Sequence, residues 1–293
     1  IKEHKDVELV LYGITDDIKK YLVPNERITI VDSPRVIDMG EHNPISEVRN
    51  NRDSSLVMSF RAVRDKEVDG VVTAGPTQCV IAAAHVHIGR IKGMKRCALC
   101  PTLPTFKETG TLMLDVGANT DIRPEHIAQY TQYANFYAQE VKGIKNPKIY
   151  LLNIGTEEGK GRELEQQTYE LLKKLPINFC GNVESKEILT TDADIIVTDG
   201  FTGNVAMKAF EGTAKGMGAL LKKEIKSSLG GIIGYLFMKK NLKRFADHFS
   251  ADKVGGATLF GVDGTVIKAH GSSNAEAFSN AIALCYKENE KLY

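Results

Sequence analysis

Tryptophan is absent from the sequence, and aromatic residues make up only 7% of its 293 positions. Nucleic-acid bases stack on aromatic side chains, so this shortage leaves little surface for them. An excess of charge of one sign is lacking too, because 38 basic and 37 acidic side chains give a formal net charge of +1. Without a global attraction for a phosphate backbone, we expect no nucleic-acid partner.

Cysteines and long apolar runs are also scarce. The five cysteines are an odd number scattered along the chain, which argues against a disulfide framework and favours a reducing cytosol. Neither a run of 18 apolar residues nor a signal peptide is visible in the sequence. We therefore expect a cytoplasmic protein without a membrane span. With 42% hydrophobic residues, the chain can build a large core.

Short apolar runs alternate with helical patterns. The runs that predict strands lie at residues 7–11, 28–31, 69–73, 112–115, 148–152, 177–180, 195–197 and 265–268. Helices are predicted at residues 15–22, 46–65, 80–91, 124–141 and 162–174, after residue 204, and from residue 274 to about 291. A turn is predicted at residues 181–184. This order predicts an α/β domain over residues 1–293, with a doubly wound, largely parallel sheet.

The DGFTGN bend (residues 199–204) follows one of the predicted strands and precedes a long helical pattern. Gly200 and Gly203 carry no side chain, so the backbone can turn tightly and approach a ligand closely. Thr202 or Asn204 is expected to cap the helix. Because the first amides of a helix and its dipole favour negative charge, the bend predicts a phosphate site. The alternative is a tight connection without a ligand.

Two other predicted strand ends carry similar features. The TAGPTQ segment (residues 73–78) is a second bend that leads into a predicted helix. In the segment GTEEGKG (residues 155–161), Lys160 lies between two glycines, which predict a flexible backbone. The Lys160 ammonium could then reach a phosphate or a developing oxyanion. The alternative for this segment is a solvated loop.

A second candidate anion cradle lies near the C-terminus. A glycine-rich segment and a predicted strand precede the sequence AHGSS, after which Ser273 or Asn274 can cap the last helix. Lys268 and His270 are candidates for charge stabilisation or proton transfer. Alternatively, Lys268 only ends a strand and His270 only packs or caps locally.

Metal binding is not expected. His85 and His87 lie two residues apart in a predicted helix, and such residues do not share a helical face. Cys97 and Cys100 have the spacing of a zinc pair, but no second pair completes a site.

Taken together, these segments resemble the PlsX family, the phosphate acyltransferases of bacterial phospholipid synthesis. The resemblance runs from residue 7 to the last helix, in the family's order, through TAGPT, GRIKG, LDVGAN, LLNIGTEEGKG, GNVES, VTDGFTGNVAMKAFEG, GGATLFG and VIKAHGSS. It implies a fold related to isocitrate and isopropylmalate dehydrogenases and to phosphotransacetylase. It also implies a homodimer that forms acyl-phosphate from acyl-acyl-carrier-protein and inorganic phosphate, without a cofactor.

The resemblance, together with the strand-end positions, gives a set of expected site residues. The catalytic candidates are Lys160, Asn204, His270 and Lys268. The candidates for binding phosphate or substrate are Gly75, Thr77, Asn119, Thr156, Asp199, Thr202 and Gly203. Asp199 could instead only cap the helix that follows.

The sequence departs from the family pattern in two places. The family's opening strand and its Asp-Ala-Met-Gly-Gly-Asp motif are not found, so we expect that part to be missing from this sequence. In the TAGPTQ segment, Pro76 lacks an N–H and Gln78 occupies a glycine position, which removes anion contacts expected there.

Other functions remain open at this point. A phosphotransacetylase-type enzyme would use a coenzyme A thioester. An NAD-dependent decarboxylating dehydrogenase would need a cluster of metal-binding aspartates and a GxGxxG motif after a strand, and neither is visible. A non-enzymatic scaffold would be expected if the altered TAGPTQ segment no longer bound phosphate.

Residues 222–247 predict a protruding amphipathic helical segment. Its apolar side chains recur with helical spacing, and they are Leu229, Ile232, Ile233, Leu236 and Phe237. Basic side chains flank them, namely Lys222, Lys223, Lys226, Lys239, Lys240, Lys243 and Arg244. An apolar stripe with basic flanks is typical of an interfacial helix, and the resemblance also implies membrane association. We therefore expect reversible binding to the anionic inner face of the membrane; the alternative is packing against a partner subunit.

Overall fold

The computed structural model describes residues 5–249 and 255–292. The chain divides into two compact units, of which unit 1 comprises Ile1–Cys97 and Gly255–Tyr293, and unit 2 comprises Ala98–Val254. Each unit is defined by its own internal contacts, so the single domain expected over residues 1–293 stays a prediction.

Strands and helices alternate through most of the described chain. The strands are β1 (Leu9–Gly13), β2 (Ile28–Asp32), β3 (Gly70–Thr73), β4 (Ala98–Leu103), β5 (Thr111–Leu114), β6 (Ile149–Asn153), β7 (Phe179–Glu184), β8 (Ile195–Val197), β9 (Ala257–Phe260) and β10 (Thr265–Lys268). The helices are α1 (Thr15–Lys19), α2 (Pro44–Asn50), α3 (Ser55–Arg64), α4 (Thr77–Ala83), α5 (Pro124–Glu140), α6 (Glu163–Leu172), α7 (Gly200–Lys226), α8 (Leu229–His248) and α9 (Ala275–Leu292).

In unit 2, the strand order is β4-β5-β8-β6-β7. All neighbouring pairs in this series are parallel except β4 and β5. The side chains of β5 and β8 are fully buried, which explains why these strands are continuous apolar runs. Because the carboxyl ends of parallel strands meet at one edge of a sheet, the segments after β5, β6 and β8 lie side by side.

In unit 1, β10 pairs parallel with β3 and antiparallel with β9. The parallel register places Lys268 opposite Thr73, so the carboxyl ends of β3 and β10 are neighbours. Strands β1 and β2 form a separate parallel pair. The predicted α/β fold with a mostly parallel sheet is therefore confirmed, with β4 and β9 as antiparallel exceptions.

Several predicted boundaries were wrong. The turn predicted at residues 181–184 is the second half of β7, although Gly181 and Asn182 are typical turn residues. The helix predicted at residues 46–65 is two helices, α2 and α3. The helix predicted at residues 80–91 begins at Thr77 and ends in a π-helical turn, Ala84–Ile88.

Helices α7 and α8 form the long helical region predicted after residue 204. They have 27 and 20 residues and are joined at Ser227 and Ser228. Ser228 caps α8 by accepting a hydrogen bond from the Gly231 amide at 3.0 Å. At the other end of α8, His248 Nε2 donates to the carbonyl oxygen of Thr105 at 2.7 Å, which ties α8 back to the loop after β4. The predicted segment 222–247 is thus the end of α7 followed by most of α8.

The apolar stripe of that segment lies entirely on α8. Its five members are exposed to between 45% and 85%, and they are Leu229, Ile232, Ile233, Leu236 and Phe237. Within the described residues, no helix has the length and hydropathy of a membrane span.

Candidate active site

The LDVGAN loop that follows β5 is folded around the buried carboxylate of Asp115. Its Oδ1 accepts hydrogen bonds from the amides of Leu99 (3.0 Å), Gly117 (3.2 Å) and Ala118 (2.9 Å). Its Oδ2 accepts from the amide of Asn119 (2.7 Å) and from Asn119 Nδ2 (2.8 Å). Burial raises the pKa of Asp115, and these hydrogen bonds oppose that shift. The carboxylate therefore fixes the loop, and the Asn119 side-chain amide is part of that fixation.

Helix α7 begins at Gly200 with Asp199 as its cap. Asp199 Oδ1 accepts hydrogen bonds from the amides of Phe201 and Thr202, both at 2.9 Å, and the Gly203 amide donates to the Asp199 carbonyl oxygen at 2.9 Å. The prediction that Thr202 or Asn204 caps this helix was wrong, because the helix begins earlier, and the capping role given to Asp199 as an alternative is confirmed. The amides expected to receive an anion here already donate to Asp199.

The glycines of the DGFTGN bend make room for the chain's own backbone. A Cβ atom at Gly200 would collide with the carbonyl oxygen of Asn119, and one at Gly203 with the carbonyl oxygen of Asp115. The Gly200 amide also donates to the Asn119 carbonyl oxygen at 2.9 Å. The start of α7 is thus packed directly onto the LDVGAN loop. These glycines permit the close approach of this loop, not of a ligand.

Asn204 lies where these two segments meet. A Cβ atom at Gly117 would lie 3.6 Å from Asn204 Cγ and Nδ2, and Gly117 has a φ of 132°, which disfavours other residues. Asn204 is half-buried, so its amide is positioned by packing while part of it still reaches solvent.

Arg162, which sequence reasoning missed, links the start of α6 to the start of α7. Its guanidinium pairs with Glu165 and donates to Asp199 Oδ2 at 2.5 Å. Thr202 Oγ1 donates to the same Asp199 oxygen at 2.7 Å and lies 3.4 Å from the guanidinium. Burial alone would raise the pKa of Asp199, but the hydrogen bonds from Thr202 and Arg162 outweigh it and lower the pKa below its usual range.

Side chains of β6 and β7 hold the backbone of the loop that carries Lys160, although a flexible backbone was predicted there. Asn153 Nδ2 donates to the carbonyl oxygen of Lys160 at 3.0 Å, and Asn182 Nδ2 donates to that of Glu157 at 2.9 Å. The Lys160 side chain itself is exposed. Its ion-pair partner, Glu157 Oε2, is 4.0 Å from Nζ and also exposed. Lys160 is therefore an accessible cation on a well-fixed loop.

Most of the candidates in unit 2 come together at the carboxyl ends of β5, β6 and β8. Asn119, Asp199, Thr202, Gly203 and Asn204 belong to the two packed segments, and Arg162 connects them to the end of the Lys160 loop. Thr156 is on the same loop as Lys160 and is exposed. Among the described residues, no hydrogen bond joins the Thr156 side chain to the other candidates.

The remaining candidates form a second group in unit 1, at the adjacent ends of β3 and β10. The Ala269 amide donates to the Thr73 carbonyl oxygen at 2.9 Å, which joins the bend containing Gly75 and Thr77 to the segment containing Lys268. The Gly75 amide donates to Thr73 Oγ1 at 3.1 Å. Helix α4 begins at Thr77 after Pro76, without a side-chain cap.

Lys268 and His270 have opposite environments. Lys268 is buried and donates to the Ala269 carbonyl oxygen at 2.5 Å, and burial lowers its pKa. His270 is exposed. Its Nδ1 accepts from the Ser272 amide at 3.2 Å, so the neutral ring carries its proton on Nε2. Of the predicted caps of the last helix, Asn274 fills the role, because its Oδ1 accepts from the Ala277 amide at 2.9 Å.

The described part of the chain was also compared with the metal-binding patterns that the sequence offered. There, no group of three or more histidine, cysteine, aspartate or glutamate side chains is arranged to hold a metal ion. The five cysteines are all free thiols. The candidate residues at these strand ends carry amides, hydroxyls, a carboxylate, an imidazole and cationic side chains.

Comparisons with known proteins show what this chain is similar to. A family model described as a fatty acid synthesis protein matches residues 1–289. A phosphate acyltransferase of Acholeplasma laidlawii is 46% identical over 289 residues, which cover 96% of this chain and 85% of that protein. A phosphate acyltransferase of Staphylococcus aureus is also 46% identical, over 283 residues, with coverage of 96% and 85%.

Among solved structures, the EutD phosphotransacetylase from Staphylococcus aureus is similar with a TM-score of 0.61 and 13% identity, covering 98% of this chain and 88% of that one. At this identity the likeness shows the fold alone. The family match extends over nearly the whole chain, and the sequence relatives are far above the identity at which a family is shared. The chain therefore belongs to the PlsX family and is a phosphate acyltransferase, an acyltransferase of fatty acid and phospholipid synthesis.

Proposed function

We propose that this enzyme transfers a fatty acyl group from acyl-acyl-carrier-protein to inorganic phosphate and releases acyl-phosphate. The main observation in support is the exposed Lys160 ammonium on a fixed loop, two residues before Arg162, which pairs with Asp199 at the start of α7. An accessible cation next to positioned amide and hydroxyl groups suits an anionic acceptor. The names of the relatives support phosphate as that acceptor.

The reaction needs no covalent enzyme intermediate. A phosphate oxygen attacks the thioester carbonyl carbon and forms a C–O bond, and the tetrahedral oxyanion collapses with breakage of the C–S bond. The thiolate of the carrier's prosthetic group leaves and takes up a proton. The protein's task is to orient phosphate and thioester and to stabilise the oxyanion.

We assign the roles in unit 2 by the geometry of each side chain. Lys160 neutralises charge on phosphate or on the oxyanion, since its ammonium is accessible. The Asn204 amide donates a hydrogen bond, because packing against Gly117 orients it. Thr156 offers its exposed hydroxyl as a donor to phosphate, whereas Thr202, whose hydroxyl donates to Asp199, accepts from a protonated phosphate oxygen. Asp199 acts through Thr202 and Arg162, which it holds in place.

The candidates of unit 1 are assigned roles from the geometry of that unit alone. His270 offers its Nε2–H as a hydrogen-bond donor to the leaving thiolate, because Nδ1 accepts from the Ser272 amide, and the thiolate then takes its proton from solvent. Lys268 supplies an ammonium whose lowered pKa brings it closer to proton exchange at neutral pH. Gly75 and Thr77 contribute the start of α4 to phosphate binding. Neither a cofactor nor a metal ion enters this scheme.

The choice of acyl donor is tested by comparing three reactions under one phosphate concentration. Purified enzyme is incubated with acyl-acyl-carrier-protein, with the corresponding acyl-coenzyme A, or with isocitrate and NAD. We expect acyl-phosphate from the carrier-protein thioester at the highest kcat/KM. A higher kcat/KM with acyl-coenzyme A would overturn the carrier-protein assignment and favour the phosphotransacetylase type. Reduction of NAD would overturn both.

We also propose that the exposed stripe on α8 binds reversibly to the anionic inner face of the membrane and that the enzyme works there from the cytoplasm. The stripe is exposed, and lysines and an arginine flank it. Each basic residue near an anionic surface contributes about 1 kcal/mol. Binding is therefore expected to weaken with added salt and with loss of anionic lipid.

Vesicle co-sedimentation tests this proposal. Ile233→Asp and Phe237→Asp should each release the protein from anionic vesicles, because both side chains belong to the stripe. Asn241→Asp is the matched control, since it adds the same charge on α8 without removing an apolar side chain. Unchanged vesicle binding by both stripe variants, with their mass unchanged, would exclude the stripe as the membrane contact.

A homodimer is proposed for the same region. Met217, Leu220 and Leu221 on α7 are exposed by 67%, 58% and 43%, so α7 has apolar surface for a second subunit to cover. Light scattering at micromolar concentration should give twice the mass of the chain. A monomeric mass would contradict the proposal, and loss of the dimer in Ile233→Asp or Phe237→Asp would assign the α8 stripe to the subunit contact instead.

A further inference from the structure

A cavity in unit 1 is lined by arginines and contains none of the candidate active-site residues. Its volume is about 430 Å³. Arg49 and Asn50 end α2, Arg52 follows them, Arg61 and Arg64 lie in the last turn of α3, and His87 comes from the π-helical turn. Three separate segments of unit 1 thus direct cationic or polar residues to one recess.

The arginines of this cavity have few counterions. Arg64 pairs with Asp65, with Nε and Nη2 each donating over 2.7 Å. Among the described residues, Arg49, Arg52 and Arg61 have no carboxylate within ion-pair distance. Helix C-termini attract cations, which accounts for Arg49, Arg61 and Arg64 one by one. The attraction of helix C-termini for cations does not explain why the arginines of two helices line one cavity, because like charges at close range repel each other.

His87 lines the same cavity as these arginines. Its Nε2 donates to the Val48 carbonyl oxygen at 3.0 Å, so Nε2 carries a proton and Nδ1 is the nitrogen that titrates. The pKa of His87 is lowered, first by burial and then by the charges of Arg64, Arg61 and Arg52, although the Val48 hydrogen bond opposes the shift. The imidazole is therefore held neutral among cations.

The chemistry of the lining selects a class of ligand. A guanidinium group presents paired donors that match the oxygens of a phosphate. Cavities of about 300–1,000 Å³ are the size of small-molecule sites, and the exposed side chain of Val86 adds an apolar wall. We propose that this cavity binds a small phosphorylated metabolite with more than one negative charge, at a site separate from acyl transfer.

Inorganic pyrophosphate is the probe for this site, because it carries the charge density of such a ligand and is not the proposed acyl acceptor. Isothermal titration calorimetry should show that pyrophosphate binds to the wild-type enzyme. The Arg52→Gln/Arg61→Gln double variant should bind at least about tenfold more weakly, since charge-assisted hydrogen bonds are lost. Arg49→Gln alone, at an exposed position on α2, should weaken binding in the same direction. The imidazole NMR signal of His87 should shift on binding.

The control variant Lys287→Gln/Lys291→Gln removes the same charge from α9, outside the cavity. It should leave both the affinity for pyrophosphate and the KM for phosphate unchanged, and the arginine variants should also keep the wild-type KM for phosphate. Four results would overturn the proposal. The first is that the wild type does not bind pyrophosphate, and the second is that the arginine variants bind it as tightly as the wild type. The third is that the α9 control binds pyrophosphate as weakly as the arginine variants. The fourth is that the KM for phosphate rises in the arginine variants along with the loss of pyrophosphate affinity.

Discussion

The bend between β3 and α4 and the bend between β8 and α7 look alike in sequence but are built differently. Both follow a parallel strand and contain threonine and glycine next to a helix start. Asp199 caps α7 with its carboxylate, whereas Pro76 precedes α4 and provides no side-chain cap. One helix start is closed by a negative side chain, and the other is not.

The glycines differ in the same way. A Cβ atom at Gly203 would collide with the carbonyl oxygen of Asp115, whereas one at Gly75 would lie 3.3 Å from Thr73 Oγ1 and 3.5 Å from Leu56 Cδ1. Position 203 thus requires glycine because a backbone carbonyl lies against it, whereas position 75 has room for a larger residue. The comparison teaches that a strand–glycine–helix pattern predicts a close approach without telling whether the approaching group is a ligand or the chain itself.

The largest effect is expected from Gly203→Ala. The added methyl group meets a backbone carbonyl that cannot move without breaking the LDVGAN loop, so the free energy of unfolding should fall by about 3 kcal/mol or more. Gly75→Ala is the matched variant and should change it by less than about 1 kcal/mol. Urea unfolding of both proteins measures the difference, and similar midpoints would remove the distinction between the two bends.

Removal of Lys160 or Asn204 should affect turnover next most strongly. Each alanine variant is expected to lose a factor of about 10²–10³ in kcat, because a donor to phosphate or to the oxyanion is lost. Both should remain folded, since Lys160 is exposed and Asn204 half-buried. Lys174→Ala, at an exposed position after α6, is the control. Near-normal kcat in both variants would exclude these residues from the site.

Asp199→Asn should destabilise the protein by about 1–2 kcal/mol at neutral pH, because Arg162 and the helix dipole lose a negatively charged partner, although asparagine can still cap the helix. The pKa of Asp199 is lowered in the folded protein from an ordinary value of 3.8. Folding therefore favours its ionised form, and this contribution is present above about pH 4 and is lost as the pH falls through the folded-state pKa.

The gap in unfolding free energy between wild type and Asp199→Asn should accordingly be wide at pH 7 and narrower at pH 3. Urea unfolding at both values measures it. A gap that is equal at the two values, or wider at pH 3, would show that the Asp199 charge does not stabilise the start of α7.

The smallest effect concerns the uncapped helix. Pro76→Ser places a capping hydroxyl at the start of α4, so this variant should be about 0.5–1 kcal/mol more stable than Pro76→Ala. Comparison with the alanine variant removes the general effect of losing proline. Equal stability of the two variants would show that the first turn of α4 needs no cap. The difference between the capped start of α7 and the uncapped start of α4 would then have no effect on stability.

Most of the sheet could be predicted from sequence because its strands are short and strongly apolar, but the ranges of β4 and β9 were not among the predicted strands. The core of β8, Ile195–Val197, was located without error, and β5 and β6 were shifted by only one residue. Strand β7 was cut short because Gly181 and Asn182 resemble a turn. Asn182 pairs with Leu151 in the ladder between β6 and β7, and its side chain donates to the Glu157 carbonyl oxygen. Local sequence reveals neither contact.

The candidate site could be predicted only as a set of strand ends. Asp115 and Arg162 were missed because their roles depend on distant partners, such as the Asp199 carboxylate for Arg162. A carboxylate directly after a buried strand was the available signal for Asp115. Asp199, Thr202 and Asn204 were all offered as caps of α7, because aspartate, threonine and asparagine are all good capping residues. Only the packing of Gly200 on Asn119 places the helix start and decides between them.

The central claim is that inorganic phosphate is the acyl acceptor. The most direct measurement follows free thiol and acyl-phosphate together, from acyl-acyl-carrier-protein, in phosphate-free buffer and at increasing phosphate concentration. Thiol release is predicted to require phosphate, to saturate with it, and to match acyl-phosphate one for one. Thiol release at the same rate without phosphate, with no acyl-phosphate formed, would contradict the assignment.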